Sequence, residues 1–191
     1  MSRLQNVLIS AVLALAGCGI GSVNATLGDA DTSFNPDLLG AWQSPDSSEA
    51  AVITADGKGG YLIVYDEQGS KPGRFLARSG LIAGRRVLDV QPDASAAAGN
   101  DSYKALLLPL HTVLFLDSVG REVHFSGLDP DSVTAILERE PNAVAHIKVD
   151  DANILTAPTP AVQKFIAGLA ARPGVLQPPT VWVRRTASAP N

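Results

Sequence analysis

From Leu38 onward, short apolar stretches alternate with groups of turn residues along the chain. The apolar stretches are rich in Val, Ile, Leu and aromatic residues, a composition typical of β-strands. The pattern predicts strands at Leu39 to Ser44, Ala50 to Thr54, Tyr61 to Tyr65, Arg74 to Ser79, Arg86 to Gln91, Ala105 to Asp117, Glu122 to Leu128, His146 to Val149, Ile154 to Thr156 and Thr180 to Arg184.

Glycine-containing turns separate the predicted strands. Ala83-Gly84 and Val119-Gly120, for example, supply the positive φ that tight connections need. Because strand after strand returns through a short loop, we predict a mainly β fold, either a β-barrel or a strongly curved antiparallel meander. The run from Pro92 to Asn100 offers no apolar partner for a core and is predicted to be a mobile loop.

Two segments follow a helical period instead, and each begins with a capping residue followed by proline. Asp129-Pro130 begins a predicted helix over residues 130–139, and Thr159-Pro160 begins a second over residues 160–171. In the second helix, apolar residues recur at positions i, i+3, i+4 and i+7, so that one stripe can pack on the sheet. A helix that binds a partner would carry the same stripe.

The amino terminus has the three parts of a secretory signal: Arg3, an apolar run from Val7 to Ala16, and small residues before Cys18. The run holds about ten residues, whereas a membrane-spanning helix needs about 20. Leu15-Ala16-Gly17-Cys18 resembles the lipobox of bacterial lipoproteins. This resemblance implies cleavage after Gly17 and a membrane anchor of lipid on Cys18. The alternative is an ordinary signal peptide cut after another small residue.

This division predicts a signal peptide at 1–17, a lipidated cysteine with a flexible tether at 18–36, one β-rich domain at 37–186 and a disordered tail at 187–191. The tether is predicted because its Gly, Ser, Asn, Asp and Thr residues show no sustained apolar period. Gly19, rather than Asp, follows the cysteine. By resemblance to enteric sorting rules, this residue implies outer-membrane retention facing the periplasm.

Composition narrows the classes of function. The formal net charge is −4, and Arg85-Arg86 and Arg184-Arg185 are the only basic pairs, so we expect no binding of nucleic acid. Cys18 is the only cysteine, which leaves the domain without disulfides or cysteine ligands. We expect no cofactor and no metal site.

The three histidines are the candidates for chemistry, because imidazole titrates near neutrality and binds metals. With a two-residue turn at Val119-Gly120, His124 would face Phe115, four residues away from His111. That offset is roughly 13 Å at about 3.3 Å per residue, too far for one shared ion. His146 has no evident partner in the sequence. We interpret all three as surface or hydrogen-bonded histidines, with a catalytic role as the alternative.

The strand pattern also resembles that of lipocalin-like barrels, including small bacterial lipoproteins of that shape. Gly40-Ala41-Trp42 lies at the first predicted strand, as the Gly-x-Trp of that family does. Arg184 or Arg185 ends the last strand, where the family often places an Arg against that Trp. The resemblance implies a barrel closed at one end by the pair Trp42 and Arg184, with cation–π attraction between them.

Three hypotheses for function follow. The first is a non-enzymatic envelope lipoprotein whose barrel binds a small apolar or amphiphilic ligand. The second is a structural or interaction module that docks another envelope protein through a sheet edge or the Thr159 to Ala171 helix, and the third is a hydrolase using His111 or His124. The candidate ligand-lining or core residues are the aromatic residues of the predicted strands: Trp42, Tyr61, Tyr65, Phe75, Phe115, Phe125 and Trp182.

Overall fold

The computed structural model of the chain describes residues 20–185. The predicted signal peptide, Cys18, Gly19 and the predicted tail therefore lie outside the described residues. Within them, eleven strands and three α-helices follow one another along the chain. The bounds are β1 Ile20–Ser22, β2 Gly40–Gln43, β3 Glu49–Ala55, β4 Tyr61–Glu67, β5 Gly73–Ile82, β6 Arg85–Pro92, α1 Asp101–Ala105, β7 Thr112–Val119, β8 Glu122–Ser126, α2 Pro130–Arg139, β9 His146–Val149, β10 Ala152–Leu155, α3 Thr159–Ala170 and β11 Thr180–Arg184.

Eight of the strands form a closed antiparallel barrel in the order β11-β2-β3-β4-β5-β6-β7-β8. β2 to β8 run as a meander, and β11 closes the barrel by pairing with both β8 and β2. The predicted fold class, a mainly β barrel with two packing helices, is confirmed. Closure pairs every barrel strand on both sides, which removes the exposed edges that an open sheet would have.

Buried and exposed side chains alternate along the strands of the barrel wall. In β3, Ala51 and Ile53 are buried in the lumen while Val52 and Thr54 face solvent. A tight turn with positive φ at both Ala83 (49°) and Gly84 (77°) joins β5 to β6. Such turns match the right-handed twist of the flanking strands, which is why a two-residue connection suffices here.

The pairing of β7 with β8 differs from the predicted register. Phe115 pairs with Ser126, and His124 pairs with Ser118 rather than with Phe115. The register shifts between Leu116 and Ser118, which leaves Asp117 as an extra residue in β7. A β-bulge of this kind bends the strand and reverses the face of the residues beyond it. The predicted two-residue turn with His124 opposite Phe115 is therefore wrong.

A second apolar core lies outside the barrel wall. The three-stranded sheet β1-β10-β9 and the helices α2 and α3 pack there against the outward side chains of β6 and β7. Both predicted helices are present. Asp129 caps α2 by accepting a hydrogen bond from the Ser132 amide at 2.8 Å, whereas α3 begins one residue before Pro160 and has no side-chain cap. Its whole apolar stripe, Val162, Phe165, Ile166 and Leu169, is buried in this core.

Two segments predicted as irregular have defined structure. Residues 20–36 were expected to be a flexible tether, yet β1 pairs in parallel with β10, and Ser22, Thr26 and Leu27 are buried. The expected mobile loop from Pro92 to Asn100 contains a short 3-10 helix at Ala94–Ala96 and leads into α1. The long predicted strand from Ala105 is correspondingly shorter, because β7 begins only at Thr112.

Candidate functional site

The barrel has two unlike ends. We call the end with the 3-10 helix Pro36–Leu38 and the β5–β6 turn the closed end, and the end with the β4–β5 turn and residues 93–111 the groove end. Strand pairing fixes this assignment, because Phe75 pairs with Pro92 at one end of β5 and Ile82 pairs with Arg85 at the other. Every candidate side chain can be placed relative to these two ends.

Trp42 and Arg184 lie against each other at the closed end, which is the contact that the resemblance to lipocalin-like barrels implies. Trp42 is fully buried, and the guanidinium carbon of Arg184 lies 4.2 Å from the centroid of its ring. The same guanidinium donates to the carbonyl oxygens of Leu39 at 2.6 Å and Asp37 at 2.7 Å. The indole nitrogen of Trp42 donates to the Leu38 carbonyl at 2.9 Å. The pair therefore ties the last strand to the segment that precedes the first barrel strand.

Gly40 makes this contact sterically feasible. Its φ is +126°, a conformation that residues with a side chain rarely adopt. A Cβ atom built at this position would lie 2.6 Å from a terminal guanidinium nitrogen of Arg184. The backbone conformation thus favours glycine in the Gly-x-Trp motif, and a side chain here would have to displace the guanidinium of Arg184 from its contacts.

Tyr61, at the start of β4, stabilises the same end of the barrel. Its hydroxyl accepts a hydrogen bond from the Asn35 amide at 2.6 Å and lies 2.8 Å from the hydroxyl of Ser79. Phe34 stacks on its ring with a centroid distance of 5.0 Å. Ser79 also donates to the Ser33 carbonyl. These contacts fasten residues 33–35 across the closed end, so Tyr61 serves the core there.

The remaining lumenal aromatic residues gather towards the groove end. Tyr65 stacks on Trp182 with centroids 6.0 Å apart, and Phe125 meets Trp182 edge-on at 5.3 Å. Phe75 packs edge-on against Tyr65 at 6.5 Å. Burial, followed by the charges of Glu49 and Glu67, raises the pKa of the Tyr65 hydroxyl. Tyr65 therefore stays protonated at neutral pH and contributes packing.

These side chains nearly fill the lumen. The space they leave is an apolar cavity of about 60 Å³, whereas sites for small-molecule ligands occupy roughly 300 Å³ or more. Phe115 does not take part, because it faces outward into the second core with Arg85 4.8 Å above its ring. Of the two roles predicted for it, ligand lining or core, Phe115 is therefore a core residue outside the lumen. Trp42, Tyr61, Tyr65, Phe75, Phe125 and Trp182 do belong to the lumenal cluster.

A larger cavity lies at the groove end, between the barrel wall, residues 93–111 and the small sheet. We call it the side groove; its volume is about 660 Å³. Its apolar walls come from Phe75, Leu107, Leu110 and Ile154, and polar groups at its margin include Arg74 and His111. Arg74 pairs with the buried carboxylate of Asp93 at 3.3 Å. An apolar wall with a few polar groups suits an amphiphile.

A buried carboxylate and histidine lie between the side groove and the amino-terminal segment. Asp89 accepts from the Thr26 amide at 2.7 Å and from the Leu27 amide at 3.3 Å. Its other oxygen lies 2.7 Å from Nδ1 of His111. Sequence reasoning missed Asp89, although a lone acid in the apolar run Val87-Leu88-Asp89-Val90 was a usable signal. The pair fastens residues 26–27 to the barrel.

The other two histidines have different hydrogen-bond partners. His124 pairs with Glu122 at 3.0 Å on the surface, and Nδ1 of His146 lies 3.0 Å from the Val144 carbonyl oxygen. Within residues 20–185, neither His111 nor His124 hydrogen-bonds to a hydroxyl that could act as a nucleophile. The same residues contain no group of three or more His, Cys, Asp or Glu side chains that could hold a metal ion. No helix among them is long and apolar enough to cross a membrane.

The fold and cavities define a class: a closed eight-stranded antiparallel β-barrel with a nearly filled lumen and a second apolar core outside its wall. No protein-family model, no curated protein and no solved structure matches the chain.

Proposed function

We propose that this chain is a non-enzymatic envelope lipoprotein, anchored through lipid on Cys18 to the outer membrane and facing the periplasm. The support is the sequence Leu15-Ala16-Gly17-Cys18 after a short apolar run. Ordering of the chain from Ile20 onward adds a physical consequence. Because two residues span at most about 7 Å, the anchor would hold the domain close to the bilayer.

We further propose that the domain binds a small apolar or amphiphilic ligand in the side groove rather than in the lumen. The observation that carries this proposal is the difference in volume, about 660 Å³ for the groove and about 60 Å³ for the lumen. The tail of an amphiphile would lie against Phe75, Leu107 and Ile154. Its polar end would lie near Arg74 and His111, the polar groups of the margin.

Native mass spectrometry of the protein released from membranes tests the ligand proposal. Ala97 lines the groove, so Ala97→Trp should fill it and reduce the bound mass carried by the wild type. Ala55→Trp is the matched control, because Ala55 is exposed at the closed end. A wild type without bound mass, or equal retention by both variants, would contradict the groove as the site.

The anchor is tested separately by the intact mass of the same preparation. We expect a chain that begins at Cys18 and carries the added mass of acyl chains. The Cys18→Ala variant should be absent from the membrane fraction, and its domain should still fold. An unmodified cysteine in membrane-derived protein would contradict the lipoprotein proposal and leave the groove proposal standing.

A second candidate function is docking of another envelope protein on the edge of the small sheet. β9 lies at the end of the order β1-β10-β9, so one of its backbone edges has no neighbouring strand within residues 20–185. Ile147 and Val149 of this strand are 51% and 45% exposed. An extended segment could add to such an edge as a further strand. Ile147→Lys should then abolish binding of the partner without changing the fold.

A further inference from the structure

The three most exposed large hydrophobic side chains of the described residues lie within six positions of one another. Leu106 is 86% exposed, Leu108 is 66% exposed and Tyr103 is 54% exposed. We call these three residues the apolar patch; they lie on α1 and on the connection from α1 to β7. Clustered exposure of this kind marks a binding surface rather than the scattered apolar residues of an ordinary exterior.

The apolar patch is held next to the start of the ordered chain. His111 and Ser22 exchange two backbone hydrogen bonds, at 2.9 and 2.8 Å. The Thr112 hydroxyl donates to the Ile20 carbonyl at 3.3 Å. A Cβ atom on Gly21 would lie 3.0 Å from Leu110, so strand β1 packs directly on the leucine segment. The segment therefore cannot move away from Ile20 without breaking these contacts.

Ile20, the first described residue, lines the side groove together with Leu108 of the patch. Covalent geometry keeps the Cα atom of residue 18 within about 7 Å of Ile20. A lipid on Cys18 would consequently bring its bilayer close to the side groove, which Leu108 also lines. The start of the described chain is not a free tether, because Ile20–Ser22 pair with β10 and the Thr26 amide donates to Asp89 of the barrel.

The chemistry of the patch suits a bilayer interface. No charged residue lies between Ala105 and Leu110. The neighbouring Lys104 donates a hydrogen bond from its ammonium group to the Ser95 carbonyl at 3.0 Å. Tyrosine at the margin is typical of membrane interfaces, where its ring is apolar and its hydroxyl is hydrated. Because the chain carries a net charge of −4, the contact would depend on apolar insertion rather than on attraction to anionic headgroups.

We propose that Tyr103, Leu106 and Leu108 insert into the interface of the bilayer that holds Cys18, so that the side groove opens at the membrane surface. This inference rests on the proposed lipid anchor. It also gives the proposed ligand a source, since an amphiphile could enter the groove from the membrane. The bilayer need not be anionic.

Fluorescence quenching by brominated lipid tests the proposal on the full acylated protein in phosphatidylcholine vesicles. Leu106→Trp places a reporter in the patch, and the native Trp42 and Trp182 are buried in the lumen. Leu81→Trp is the matched control, because Leu81 is 52% exposed. It lies six residues from Phe75 along β5, about 20 Å towards the closed end at roughly 3.3 Å per residue.

We expect quenching of the Leu106→Trp reporter several-fold stronger than quenching of the Leu81→Trp reporter, and little change with added salt. Equal quenching of the two reporters in acylated, vesicle-bound protein would overturn this inference alone. Protein that carries no acyl mass and does not bind vesicles would overturn both the anchor and this inference. A Leu106→Trp emission shift that appears without lipid and grows with protein concentration would show self-association instead, and would overturn the membrane contact.

Discussion

The two ends of the barrel are built on opposite principles. At the closed end, Trp42 and Tyr61 bury their aromatic rings, and Arg184 covers the ring of Trp42. Backbone groups of the neighbouring segments hydrogen-bond to the polar atoms of all three side chains. At the groove end, the chain leaves Leu106 and Leu108 in solvent beside a wide apolar groove. The contrast indicates that the closed end stabilises the fold, whereas the groove end leaves apolar side chains exposed, which the proposed ligand and membrane contact would cover.

The largest effect should come from the closed end. Trp42→Ala removes a fully buried ring and leaves a cavity, so we expect a loss of about 3–5 kcal/mol in the free energy of unfolding. Chemical denaturation followed by circular dichroism measures it. An unchanged transition would show that Trp42 does not close the core.

A slightly smaller effect is expected where the amino-terminal segment joins the barrel. Asp89→Asn changes a buried carboxylate that accepts hydrogen bonds from two backbone amides and contacts His111, which should cost about 2–3 kcal/mol. Hydrogen exchange at the Thr26 and Leu27 amides should also become faster. Asp117→Asn is the control, since its pair with Arg85 is partly exposed and should contribute less than about 1 kcal/mol. Equal effects of the two variants would contradict the account.

Gly40→Ala tests the steric design of the closed end. We expect a cost of about 2–3 kcal/mol, because the backbone is strained for alanine and the new methyl group meets Arg184. Gly84→Ala is matched to it, since Gly84 also has positive φ but open space around its Cβ position, and should cost about 1 kcal/mol. A cost for Gly40→Ala no larger than that of Gly84→Ala would remove the role assigned to the Arg184 contact.

A small pH-dependent effect is expected in the β2–β3 turn of the groove end. Hydrogen bonds from Ser44 and then Ser48 lower the pKa of Asp46 from 3.8 to about 2. A lowered pKa in the folded state stabilises the fold above pH 3.8, and this stabilisation disappears as the pH falls from about 4 to about 2. Asp46→Asn should therefore be less stable than the wild type at pH 7 and equally stable near pH 2. A difference that is constant with pH would exclude a charge effect.

The smallest effect on stability should come from the apolar patch. Leu106→Ser together with Leu108→Ser should change the free energy of unfolding by less than about 0.5 kcal/mol, because both side chains are exposed in the folded chain. Thermal denaturation of the acylated protein in detergent measures this change. A large loss of stability would show that these leucines belong to the core, and would remove the contrast between the two ends.

The features that sequence reasoning found are local or repeat along the chain. Alternation within β3 and β4, the Ala83-Gly84 turn and the Asp129-Pro130 helix start each depend on neighbouring residues. The Trp42 and Arg184 contact was implied by a family resemblance, not by spacing.

The features that could not be predicted from the sequence depend on tertiary contacts. Strand β1, Ile-Gly-Ser, is too short to show a period and exists only through its pairing with β10. The bulge at Asp117 changed the β7–β8 register for a similar reason, since nothing in the local pattern marks the extra residue.

Hydrogen–deuterium exchange on the acylated protein in phosphatidylcholine nanodiscs tests the central claim, that the groove end faces the membrane. The comparison is the mature chain carrying Cys18→Ser in solution. We predict several-fold slower exchange over residues 103–108 in the nanodisc, with unchanged exchange in the turn at residues 56–60 of the closed end. Unchanged exchange over residues 103–108, or equal slowing at both ends, would contradict the account.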